Sequence, residues 1–225
     1  MRLLLVFLGL MAGSVAIGQN ATTTQNAPTK EKLGLVGDRF KPLTYDEMTP
    51  AQKTMTDHLL SGERRGMNGP FNVLLRSPEA GDLAQQFGAQ ERFHAELPRN
   101  VAETVIILTA RWWGAQYEWN AHKRAALQAG VSPAIVDAIA TGKRPTGLDP
   151  QMEAAYNFIT ELFKTRQVGD ATFQAAKDKF GEHGVVDMIL LSGWYNAVSM
   201  ALNVDRYPLA PGVQPELKPL ANPFP

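Results

Sequence analysis

Residues Leu97–Ser132 read LPRNVAETVIILTARWWGAQYEWNAHKRAALQAGVS, and this stretch decides between a helical bundle and anything built on strands. Val101, Val105, Leu108 and Trp112 fall at i, i+4, i+7 and i+11, one apolar stripe of a helix that begins after Pro98. Gly114 predicts a break, and a second helix runs from near Ala115 to about Ala129, just ahead of Gly130. Outward from this pair the same grammar repeats. Thr49-Pro50-Ala51-Gln52 sets a capping threonine, a proline at the first helical position and a glutamine three residues after the cap. Ser77-Pro78, Ser132-Pro133 and Asp149-Pro150 repeat the cap-then-proline signal, and Asp170 offers another start. Gly62, Gly130, Gly142 and Gly181 follow helical periods as stops. No segment alternates like a strand, so an all-α bundle of about seven or eight helices is expected.

The uncharged run Met188–Val204, MILLSGWYNAVSMALNV, predicts a helix buried in the bundle or in a subunit interface. Gly193 and Asn196 suit lipid poorly, which argues against a membrane span there. At 225 residues one domain is the default, placed at 41–206. The start, MRLLLVFLGLMAGSVAIGQNA, reads as an export signal over 1–18, cleaved near Gly18, with no stable membrane insertion afterwards and a periplasmic or secreted destination. A flexible leader is expected over 19–40, and a proline-rich tail over 207–225 lying extended on the body or on a neighbouring subunit. Lys plus Arg, 22, equals Asp plus Glu, 22, so nothing points to a nucleic-acid surface. With no cysteine there are no disulfides, no dithiol chemistry and no thiol nucleophile.

Chemistry concentrates on the second helix of the opening pair. Glu118 and His122 are four apart and share a face, with Ala115 one turn earlier and Tyr117 and Trp119 flanking. A carboxylate against an imidazole fixes its tautomer and favours its charged form, which suits proton transfer beside a carbonyl. The alternative is an exposed helical ion pair worth about 0.2–0.5 kcal/mol. A metal site using Glu103 as third ligand is a further alternative, but it lacks a second clustered histidine.

The same residues carry a family resemblance. From GPFNVLLRSPE (Gly69–Glu79) through Leu97–Ser132 to FGEHGVVDMILLSGWYNAVSMALN (Phe180–Asn203), the chain resembles the carboxymuconolactone decarboxylase, or alkyl hydroperoxidase D-like, family over most of residues 45–206. In the peroxidase members a glutamate precedes a cysteine, a tyrosine or similar residue, a second cysteine and a histidine. On this chain those positions are Glu103, Ala115, Tyr117, Glu118 and His122. Both thiols are gone, so the dithiol peroxidase mechanism is not available. The resemblance implies an all-helical fold, trimers or hexamers assembled through the central helices, and a pocket at Glu103, Glu118 and His122. It also supplies a thiol-free precedent, acid/base decarboxylation with proton return to an enolate.

On that basis the expected enzyme acts on a small molecule without a cofactor or bound metal. His122 is its general acid/base, Glu118 orients the imidazole, Glu103 relays protons, and Tyr117 donates to a substrate oxygen. Arg76 and Arg92 are candidates to hold a substrate carboxylate, against an alternative as caps or ion pairs, and Trp113 and Trp119 are candidates to line the pocket. His58, His94 and His183 are expected to be solvated or capping. A purely catalytic His122 predicts that His122→Ala spares the fold. A second reading, an exported binding or assembly protein without turnover, predicts aromatic side chains closed over His122; a third is metal-dependent peroxide or oxygen chemistry.

Overall fold

Proline opens four of the helices because its missing N–H is one that a first helical turn leaves unpaired anyway. The computed structural model describes residues 28–64, 66–221 and 223–224. Among them the order is α1 (Pro50–Ser61), α2 (Phe71–Leu74), α3 (Pro78–Phe93), α4 (Arg99–Trp113), α5 (Gln116–Gln128), α6 (Pro133–Ala140), α7 (Pro150–Thr165) and α8 (Asp170–Asp205). No strand forms among the described residues, and Thr29 with Lys32 makes one isolated bridge. The all-α class is thus as the sequence predicts.

The capping signals act as read, with two exceptions. Thr49 and Gln52 form a reciprocal capping box on α1, and one Asp149 oxygen accepts from the Gln151 and Met152 N–H groups at 2.9 Å each on α7. Ser77 makes no side-chain cap on α3, and Gly169 caps α8 while Asp170 becomes its first helical residue. Gly181, at φ 67°, breaks α8 where the sequence places a stop.

α4 is the axial helix, packed against α5, α7 and α8. Val101, Val105 and Leu108 of the predicted stripe are fully buried, and Trp112 at its end lies half-buried between Phe163 and Phe224. A second, smaller core joins α1 to Leu33, Met48, Met67, Phe71 and Leu75.

The uncharged part of α8 is buried on one face only within this chain. Met188, Leu191, Tyr195, Val198 and Leu202 face the bundle, while Val186, Ile189, Leu190, Met200 and Val204 are exposed along the other side. Length and composition would allow α8 to cross a membrane, yet 56% of its apolar window is buried against the bundle.

The predicted export signal over 1–18 lies outside the described residues. The leader expected to be flexible through residue 40 is anchored in its last part. The buried Asp205 carboxylate accepts from the N–H groups of Asp38, Arg39 and Phe40 at 2.8–3.1 Å, so residues 38–40 close on the end of α8. The tail lies extended on this chain's own body. Leu217 and Phe224 are buried there, Gln116 binds the Leu217 backbone in both directions, and Glu216 pairs with Lys123.

Candidate functional site

α4 and α5 meet at Gly114, whose left-handed backbone (φ 60°) lets its own N–H and that of Ala115 bond back to Arg111 and Ala110. That hinge turns the first residues of α5 back along α4. Glu103, Glu118 and His122 consequently converge, all nearly buried at 2%, 4% and 3% exposure. The exposed helical ion pair is therefore the wrong alternative for Glu118 and His122.

The imidazole sits between two carboxylates. Its Nδ1 lies 2.7 Å from a Glu103 oxygen, and its Nε2 lies 3.1 Å from Glu118. Burial pushes the His122 pKa down, but the bonds to Glu103 and Glu118 outweigh it and the net shift is upward. Glu103 is raised by burial and lowered more strongly by His122, Arg92 and Arg99, ending below the usual carboxylate range. Arg99, one turn earlier on α4, donates to the other Glu103 oxygen from two nitrogens at 3.0 Å.

Nε2 has a second neighbour. One Arg92 nitrogen lies 3.0 Å from it and also donates to the Tyr195 hydroxyl at 2.9 Å. An arginine donates to a bare Nε2, whereas Glu118 accepts from a protonated one, so the two contacts belong to opposite protonation states. Nδ1 is committed to Glu103, which leaves Nε2 as the ring nitrogen shared between two partners.

A cavity of about 190 Å³ opens beside this edge, lined among others by Arg64, Arg92, Tyr117, Glu118, His122 and Tyr195. It gathers Glu118, His122, Tyr117 and Arg92 of the predicted set, with Glu103 directly behind the imidazole. The expected closure by aromatic side chains is not found.

Other expected members lie elsewhere. Arg76 is exposed, donates to the Lys41 carbonyl and does not line the cavity. Trp113 donates to Asn196 and borders a separate recess under the tail. Trp119 is core, with its indole N–H 3.2 Å from Glu216. Tyr117 reaches the cavity, but its ring packs 4.4 Å from that of Tyr207, and burial with Tyr207 beside it pushes its pKa up. His58, His94 and His183 are exposed and paired with Asp82, Glu63 and Glu96.

Two residues absent from the sequence-level set complete the cavity. Tyr195 sets its ring edge-on to His122 at 4.9 Å and accepts from Arg92, which leaves its own proton to donate. Burial is the main cause that pushes its pKa up to about 12. The only sequence signal was a lone phenol in an uncharged helix. Arg64, in the loop after α1, has no local signal at all.

The donor set does not fit a metal ion. Glu103 and Glu118 engage opposite nitrogens of one ring, so they cannot converge with it on a single point, and two guanidiniums face the same space. Among the described residues no three His, Asp or Glu side chains form a metal-binding group.

Comparison with known proteins agrees with this architecture. The fold resembles a crystal structure from Agrobacterium tumefaciens, a protein of unknown function described as a candidate antioxidant defence protein AhpD. It has a TM-score of 0.54 and 14% identity, and the match covers 64% of this chain and all of that one. It also resembles an uncharacterized peroxidase-related protein from Silicibacter sp. TM1040, with a TM-score of 0.59, 14% identity and coverage of 81% and 94%. No curated protein matches the chain. The sequence profile of the carboxymuconolactone decarboxylase family matches residues 78–161, which hold α3 through most of α7 and with them Arg92, Glu103, Glu118 and His122. The family resemblance thus rests on that segment, in a chain that has no cysteine at all.

Proposed function

We propose that the protein is a small-molecule enzyme whose His122 moves a proton at carbon, by cysteine-independent chemistry of the decarboxylase, lyase or isomerase type. The observation that carries this reading is the division of the imidazole. Nδ1 is held by Glu103, while Nε2 stands at the cavity between an acceptor, Glu118, and a donor, Arg92. With Nε2 bare, it takes a proton from a carbon next to a carbonyl, and the two carboxylates stabilise the imidazolium that forms. With Nε2 protonated, it returns a proton to an enolate left by loss of carbon dioxide. Tyr195, kept protonated by burial and set edge-on to the imidazole, takes the oxygen-donor role first expected of Tyr117, which packs against Tyr207 instead.

The test uses β-keto acids and carboxylated γ-lactones incubated with the protein in D2O and followed by proton NMR. Wild type is expected to deuterate, open or decarboxylate at least one of them, and His122→Gln to slow that reaction by about 10²–10⁴-fold. Equal rates in the two proteins, or no reaction with wild type, would count against the assignment.

We also propose that copies of the chain associate, as trimers or hexamers, over the exposed apolar side of α8. Val186, Ile189, Leu190, Met200 and Val204 support this by leaving one continuous stripe uncovered.

A further inference from the structure

Arg64 lies in the loop that follows α1, and its guanidinium stands 5.4 Å from the Phe71 ring centroid, 5.6 Å from that of Trp194 and 5.9 Å from that of Phe93. It lines the cavity beside Arg92, and it also borders a shallower recess shared with Arg92, Asn68 and Phe71. Its Nε and Nη2 are shielded from solvent and have no hydrogen-bond partner among the described residues. These two nitrogens form one edge of the guanidinium, the fork that takes a carboxylate through two parallel N–H···O bonds. Arg92, by contrast, has a nitrogen committed to Tyr195 and His122. Burial, and repulsion from Arg92, push the Arg64 pKa down, so the charged form gains from an anion placed beside it. Aromatic faces hold the guanidinium in place but accept no in-plane hydrogen bond.

We propose that Arg64 anchors a carboxylate of the ligand through its Nε/Nη2 edge, so that the cavity selects small organic acids over their neutral analogues. The inference rests on the reading that this cavity is the ligand site. The anchored carboxylate is not one that is lost in the reaction, because an arginine fork stabilises the anion and opposes its departure as carbon dioxide. Arg64 lies outside the family-matched segment 78–161, so this selectivity belongs to the chain's own N-terminal part.

The test is calorimetric titration of the full chain with propionate, benzoate and succinate, each against its amide. Wild type is expected to bind at least one carboxylate at least tenfold more tightly than the amide. Arg64→Gln should weaken that carboxylate at least tenfold, and Arg64→Lys should weaken it as well, since an ammonium has no fork. His122→Gln should still bind it, which separates failure of the anchor from failure of the acid/base reading. Equal affinity for acid and amide, no binding of any carboxylate, or full binding by Arg64→Lys would overturn the proposal. If Arg64→Gln does not fold, the acid/amide comparison and Arg64→Lys decide it.

Discussion

At the scale of the residue, His122 is both the proton carrier proposed here and a structural tie between two buried carboxylates. Removing the imidazole leaves Glu103 buried with Arg99 as its main partner, and His122→Ala is therefore expected to destabilise the fold by about 3 kcal/mol. The expectation that this substitution spares the fold does not hold for so buried a ring. The pH dependence has a definite sign. His122, raised above its ordinary 6.5, stabilises fully below that value and loses the contribution as pH climbs through its folded pKa. Glu103, depressed below 4.5, stabilises above that value and loses the contribution as pH falls through its folded pKa. The gap in melting temperature between wild type and His122→Gln should be widest between about pH 4.5 and 6.5 and narrow on either side. A gap that stays constant from pH 4 to 9 would show that the imidazole is not the titrating tie. Local spacing made Glu118 and His122 legible, and Arg99 with Glu103 was equally open to it, being four apart on one helix. Arg64 and Tyr195 were not legible, since they join His122 around one cavity only through packing between distant segments.

At the scale of the element, the site depends on two glycines that fix how helices approach. Gly114 permits the left-handed turn between α4 and α5, and the sequence marks it plainly by interrupting an apolar period. Gly88 carries no such mark, because a glycine inside a helix reads only as a weak position. Its reason lies on another element: a Cβ there would overlap the indole of Trp194 on α8. Trp194 lines the cavity and faces Arg64, so the α3–α8 contact shapes the site from behind. Gly88→Ala should destabilise by about 1–3 kcal/mol as the indole is forced aside. Chemical denaturation would read the loss, and Trp194 fluorescence should shift with it; an unchanged midpoint and spectrum would mean that α3 slides without cost. The misplacement of Trp113 and Trp119 has the same origin. Spacing put both near the site residues, but helix packing turned one toward Asn196 and the other into the core.

At the scale of the whole molecule, both ends of the described chain fold back on the bundle, yet one side of α8 is left open. Residues 38–40 close on Asp205, and the tail covers Trp112 and the start of α5, so apolar surface near the termini is already capped. The α8 stripe has no such cover, and α3, which packs against α8, exposes Leu83 and Phe87 as well. The sequence foresaw a helix apolar on every face but could not say whether the second face meets the same chain or another. Contiguous apolar surface of this kind favours association with a like surface, because burial returns about 25 cal/mol per Å² removed from water. A charge at the centre of the stripe should oppose that without touching the inner face that carries Tyr195. Leu190→Glu combined with Met200→Glu is therefore expected to lower the mass seen by light scattering to that of one chain while the helical content by circular dichroism is kept. If the unaltered protein already runs as a monomer, or the double variant stays assembled, α8 is not the interface.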